Sequence, residues 1–71
     1  MNSRIVSNPR ICGGEPCIAG TRIPAHIILS HLAAGDTVET ILLEFPHIEK
    51  ADVDACLEYA AYLCTEKAHA I

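Results

Sequence analysis

Residues 13–24 read Gly13-Gly14-Glu15-Pro16-Cys17-Ile18-Ala19-Gly20-Thr21-Arg22-Ile23-Pro24. The glycine pair followed by Glu15-Pro16 marks a tight turn. Cys17-Ile18-Ala19 is a short extended run, Gly20-Thr21 reverses the chain, and Arg22-Ile23 leads into Pro24. A proline lacks the N–H that the first turn of a helix leaves unused, so Pro24 suits a helix start. Upstream, Arg4-Ile5-Val6 is a second β-prone run, ended by Asn8-Pro9. Two such runs predict a hairpin or small sheet, which must pack on helices or pair with a partner chain to be stable.

Three helices are expected downstream. The first spans Pro24 to Ala34, with Ile28, Leu32 and Leu29 inward and Gly35 as its stop. The second is capped by Asp36 or Thr37, and Asp36 with Glu39 has capping-box spacing. Its Val38, Ile41, Leu42 and Phe45 recur at i, i+3, i+4, i+7, the spacing of one buried face, and Pro46 ends it. The third covers Lys50 to Lys67. Val53, Leu57, Ala60 and Cys64 form its apolar stripe, with Cys56 and Leu63 beside it and Asp52, Asp54 and Glu58 toward other faces. Pro46-His47-Ile48-Glu49 has the length of a helix-turn-helix connection. The expected fold is therefore mainly α and one domain over 1–71. A β arm with turns (1–23) precedes a three-helix, helix-turn-helix-like bundle (24–71).

Composition narrows the function. A 71-residue chain buries only about 60% of the surface it exposes when unfolded, which leaves no room for a cleft between two domains. It is 51% hydrophobic, high for so small a body, which points to apolar surface in a subunit interface. The formal charge of −4 argues against a polybasic nucleic-acid or membrane surface. Its distribution is uneven: residues 1–24 hold three arginines against Glu15, whereas residues 25–71 hold two lysines against eight acids. Any DNA contact should draw on the arm. MNSRIVSNPR has no apolar segment of signal-peptide length and no run is long enough to span a membrane, so a cytoplasmic protein with reduced thiols is expected.

The candidate DNA-contacting residues are Arg4, Arg10, Thr21, Arg22 and Lys50. Arg22 lies between a Gly-Thr turn and a proline, which fixes its position. It suits a phosphate, a base edge or a carboxylate, or else an internal clamp onto the third helix. Arg4 and Arg10 read as solvated charges or as phosphate contacts. The glycines suit turn geometry, because their spacing matches no phosphate-binding loop. Tyr59, Tyr62 and Leu63 lie in an apolar run from Tyr59 to Cys64 that covers more than one helical face. Such a helix buries its second face against the arm or against a partner. The four cysteines and four histidines show no CxxC or HxxxH spacing, so no metal and no cofactor are expected. No nucleophile–base pairing can be read from the spacing, and no enzymatic activity is expected.

The run Gly13, Gly14, Pro16, Ile18, Gly20, Thr21, Arg22, Ile23, Pro24 resembles the GGxPxIxGTRIP hallmark of domain of unknown function 433. The likeness continues through Leu32–Gly35, residues 37–46 and residues 51–60. The resemblance implies a homeodomain-like trihelical protein with an N-terminal β arm. It also implies kinship with VapB-type antitoxins, some encoded beside PIN-like nucleases. Glu49 and Ala51 depart from the usual hydroxyl and acid at the third helix start, an expected capping defect of about 1 kcal/mol. The leading functional reading is an antitoxin-like regulator, a homodimer that binds a nuclease toxin and operator DNA. The alternative is a protein-interaction module without DNA binding, favoured by the acids of the third helix.

Overall fold

The computed structural model describes residues 2–68, with side-chain surroundings as far as Thr65. A β hairpin precedes a three-helix bundle. Strand β1 (Ile5–Val6) pairs antiparallel with β2 (Cys17–Ile18), setting Ile5 opposite Ile18 and Val6 opposite Cys17. A 3-10 turn at Cys12–Gly14 lies between them. Beyond β2 the chain returns alongside it: the Ile18 N–H donates to the Ile23 carbonyl at 3.0 Å, and Cys17 bridges Pro24. This third extended segment explains why both β2 residues are buried although side chains alternate along a strand.

Helix α1 (Ala25–Ala33) lies just inside its predicted bounds. Its N-cap is Pro24, which has no side-chain hydrogen bond to offer. The Ala25 N–H donates instead to the Pro16 carbonyl at 2.9 Å, so the arm satisfies the first turn of the helix. At its other end Gly35 adopts φ +99°, the Gly35 N–H reaches the Leu32 carbonyl, and the Asp36 N–H reaches the His31 carbonyl. That pair of bonds is the glycine-terminated Schellman stop. Helix α2 (Val38–Glu44) is capped by Thr37, whose hydroxyl accepts the Thr40 N–H at 3.2 Å. Asp36, the other predicted cap, faces His31 instead.

The core gathers Ile5, Ile18, Ala25, Ile28, Ile41, Ile48, Val53, Ala55 and Cys56, with Leu29, Leu32, Val38, Leu42, Phe45 and Tyr59 packed against it. The inward faces of α1 and α2 are therefore the predicted ones. Helix α3 (Lys50–Ala68) is different. Its buried seam runs through Asp52, Val53, Ala55 and Cys56, while Leu57 is 46% exposed and Cys64 is exposed. The helix is rolled away from the predicted Val53–Leu57–Ala60–Cys64 stripe because Asp52 is drawn inward. Asp52 is only 8% exposed, and its carboxylate accepts the Glu49 N–H at 2.9 Å. The expected capping defect at Glu49 is thus filled from three residues downstream, the reaching-back half of a capping box.

Candidate functional site

The arm is fixed to the first turns of α3. Arg4 Nη1 donates to Asp52 Oδ1 at 2.9 Å and lies 3.8 Å from Glu49. Asn2 Nδ2 donates to the Ala55 carbonyl at 2.6 Å, and Asn2 Oδ1 accepts the Arg4 N–H. Arg4, one of the sequence candidates for DNA, is therefore a clamp onto the third helix, the role that the sequence also offers Arg22. Lys50 is likewise engaged, with Asp54 at 2.9 Å, an exposed i,i+4 pair of small energetic weight. Thr21 closes its own turn: its hydroxyl donates to the Ile18 carbonyl at 2.7 Å and accepts the Ile23 N–H at 3.0 Å. Arg10 and Arg22 are exposed, and neither makes an ion pair among the described residues. Of the five cationic or hydroxyl candidates, only these two are without an ion pair or side-chain hydrogen bond among the described residues.

The partner-interface candidates converge better. Tyr62 is 47% exposed and Leu63 is 40% exposed, in a chain whose other large apolar residues are mostly covered. An apolar groove of about 210 Å³ runs between the turn after Gly14, α1 and α3, lined by Glu15, Pro16, Ala25, His26, Leu29, Tyr59, Ala60 and Leu63. His26 Nε2 and Glu15 Oε2 face each other across its rim at 3.6 Å. A second groove, about 280 Å³, is walled by Asn2, Glu58, Tyr59 and Tyr62. Both fall short of the roughly 300 Å³ at which small-molecule sites begin and suit protein side chains better. Sequence reasoning named three of these walls but not Pro16, His26 or Leu29, since only the packing of α1 on α3 brings them together. It also missed Leu43, 83% exposed on the back of α2, where the helical spacing of Val38, Ile41 and Phe45 leaves it outward.

His31, Asp36 and Glu44 form the group among the described residues where three metal-ligating side chains approach, with ligand atoms within 4.8 Å. His31 Nδ1 lies 2.7 Å from Asp36 and Nε2 lies 3.8 Å from Glu44, with the Phe45 ring edge-on to the imidazole. Both ring nitrogens thus face protein carboxylates, and the cluster ties α1 to α2. Two thiols are perturbed. Burial, and then the Asp52 charge, push Cys56 up to about 11, so it packs as a neutral apolar group. Burial first, and then its neighbour Cys12, raise the Cys17 thiol as well.

No helix among the described residues is long and apolar enough to cross a membrane. A crystal structure titled as that of a DUF433 member protein from Anabaena variabilis ATCC 29413 superposes with a TM-score of 0.80. The two are 24% identical, and the match covers 93% of this chain and 65% of that one, which establishes the shared fold. "Uncharacterized protein y4eO" of Sinorhizobium fredii (strain NBRC 101917 / NGR234) is 34% identical over 56 residues, or 79% of this chain. The matched region spans only 25% of that relative's length. The family described as "Protein of unknown function (DUF433)" matches residues 5–60, from β1 into the middle of α3. The chain belongs to the DUF433 family.

Proposed function

We propose that the protein is an antitoxin-like binding module that restrains a nuclease partner by covering it, without catalysis of its own. The observation that carries this reading is the exposed surface of Tyr62 and Leu63 along α3, with the half-buried Tyr59 between them and acids at Glu15 and Glu58 nearby. Aromatic and apolar anchors in side-chain-sized grooves, rimmed by one sign of charge, suit a partner with apolar knobs set among lysines or arginines. The N-terminal part of α3 supports protein rather than DNA as the main ligand. Arg4 is committed to Asp52 and Lys50 to Asp54, and Glu58 adds a further exposed acid. A second copy of the chain would offer the same surface, and a homodimer is part of this proposal.

The test takes as partner any small nuclease whose gene is found adjoining the gene for this chain. The wild-type chain is expected to inhibit its RNA cleavage, and Leu63→Asp to weaken inhibition at least about fivefold, the cost of losing one interface anchor worth more than about 1 kcal/mol. Far-UV circular dichroism checks that the variant is folded. Equal inhibition by folded wild type and variant sinks the reading.

Operator DNA is the second reading, favoured by Arg10 and Arg22, the exposed arm cations that make no ion pair among the described residues. If both touch phosphates, affinity for the upstream DNA falls with salt, and Arg22→Ala lowers the log–log slope by about 0.9. Absence of binding at low salt removes this second reading and leaves the first intact.

A further inference from the structure

The turn that opens the signature motif holds a feature that partner binding does not use. Cys12 and Cys17, which flank the glycine pair, direct their thiols at successive carbonyls of the returning chain. Cys12 Sγ donates to the Arg22 carbonyl at 3.1 Å, and Cys17 Sγ lies 3.8 Å from the Thr21 carbonyl. Cys12 also acts on the buried Cys17 thiol, adding to the rise that burial causes. Cys12 has φ +54°, a left-handed conformation that costs a residue with a Cβ about 1–2 kcal/mol. The turn holds it there: the Gly14 N–H donates to the Ile11 carbonyl and the Glu15 N–H to the Cys12 carbonyl, both at 3.1 Å, while Ser7 Oγ donates to the Gly14 carbonyl. Glycine or asparagine would occupy this position with less strain. The strained position sets the Cys12 thiol against the same returning segment that the Cys17 thiol meets. Such outliers cluster where a chain performs chemistry.

We propose that Cys12 and Cys17 are an oxidation site that takes a hydroperoxide and closes to an internal disulfide. Cys12 is half-buried and meets the oxidant; Cys17 is fully buried beneath it and resolves the product. The Cys12 thiolate attacks one peroxide oxygen. The S–O bond forms, the O–O bond breaks, and the departing hydroxide takes up the proton that Cys12 released, leaving as water. The Cys17 sulfur then attacks the Cys12 sulfur. The S–S bond forms, the S–O bond breaks, and the hydroxyl leaves as a second water with the Cys17 proton. Two sulfurs surrender two electrons together and one hydrogen peroxide becomes two waters, a sequence that a dithiol reductant reverses. Burial leaves the Cys17 thiol raised on balance, so it keeps its proton until it attacks, and the Arg22 charge offsets only part of that rise. Cys56, sealed in the core, and Cys64, exposed far along α3, have no such arrangement. Closing the bridge withdraws both thiols from the Thr21 and Arg22 carbonyls, so the segment presenting Arg22 is rearranged on oxidation. The proposal is independent of whether the chain binds a nuclease or DNA.

The experiment treats the full-length Cys64→Ser chain, which lacks the exposed thiol, with hydrogen peroxide and then alkylates it. Trypsin cuts after Arg10 and Arg22 and places both cysteines on the single peptide 11–22. That peptide is expected to become lighter by two hydrogen atoms, to resist alkylation, and to regain both thiols after dithiothreitol. In Cys17→Ser the same treatment is expected to leave a sulfenic acid at Cys12 that dimedone traps. Over-oxidation of Cys12 while Cys17 still alkylates overturns the proposal. So does a bridge between two chains, or a peptide 11–22 untouched by peroxide that modifies Cys64 in the wild type. Because the main measurement keeps both native thiols, poor folding of the serine variant does not obscure it.

Discussion

Ile28→Ala is expected to destabilise the chain by about 3 kcal/mol, the middle of the range for truncating a buried branched side chain. Ile28 is fully buried at the centre of α1, in the same core cluster as Ile18, Ile41 and Val53. Its removal leaves a void between α1 and α3 that a small bundle cannot collapse around. The loss is severe in proportion, because a domain of this size has a total stability of roughly 4–10 kcal/mol. Urea denaturation should show a lowered midpoint with an unchanged slope. Leu43→Ala is the control: at 83% exposure its removal should change stability by no more than about 0.5 kcal/mol. A loss below about 1 kcal/mol for Ile28→Ala would contradict the packing described.

Asp52→Ala is expected to cost about 2 kcal/mol and to loosen the arm before the helices. Most of that cost comes from the lost bond to the Glu49 N–H and from the carboxylate's buried setting. The Arg4 share is discounted because its side chain is 47% exposed and solvent screens the pair. Asp52→Asn keeps an oxygen for the cap but loses the charge, so it should fall between wild type and alanine. Amide hydrogen exchange separates the two effects. The Ala19 amide, which donates to the Arg4 carbonyl across the hairpin, should exchange faster in the alanine variant, while the middle of α1 changes less. Unchanged protection at Ala19 would show that the Arg4 clamp does not hold the arm.

The hairpin and the three helices were legible because glycine and proline punctuate the chain at each boundary. Gly35 and Pro46 mark stops, and Pro24 marks a start. The buried faces of α1 and α2 followed from spacing alone. The face of α3 did not, since a carboxylate occupies its inner seam and polarity at position 52 reads as solvent-facing. Asp52 turns inward to accept the Glu49 N–H three residues back and Arg4 from 48 residues earlier. The same fact redistributed the arginines: a side chain that reads as a solvated charge is the clamp, and Arg22, with a rigid backbone on both sides, points out. The partner surface was legible as three residues of one helix. Its remaining walls come from the arm turn and from α1, a juxtaposition that no local pattern encodes.

Tyr59 stands between the two hollows and forms a wall of each. A rotation of that ring would alter the width of both. Whatever lodges on the Leu63 side selects the rotamer that an occupant on the Tyr62 side must then accept, so the two halves of this surface are read jointly rather than one at a time.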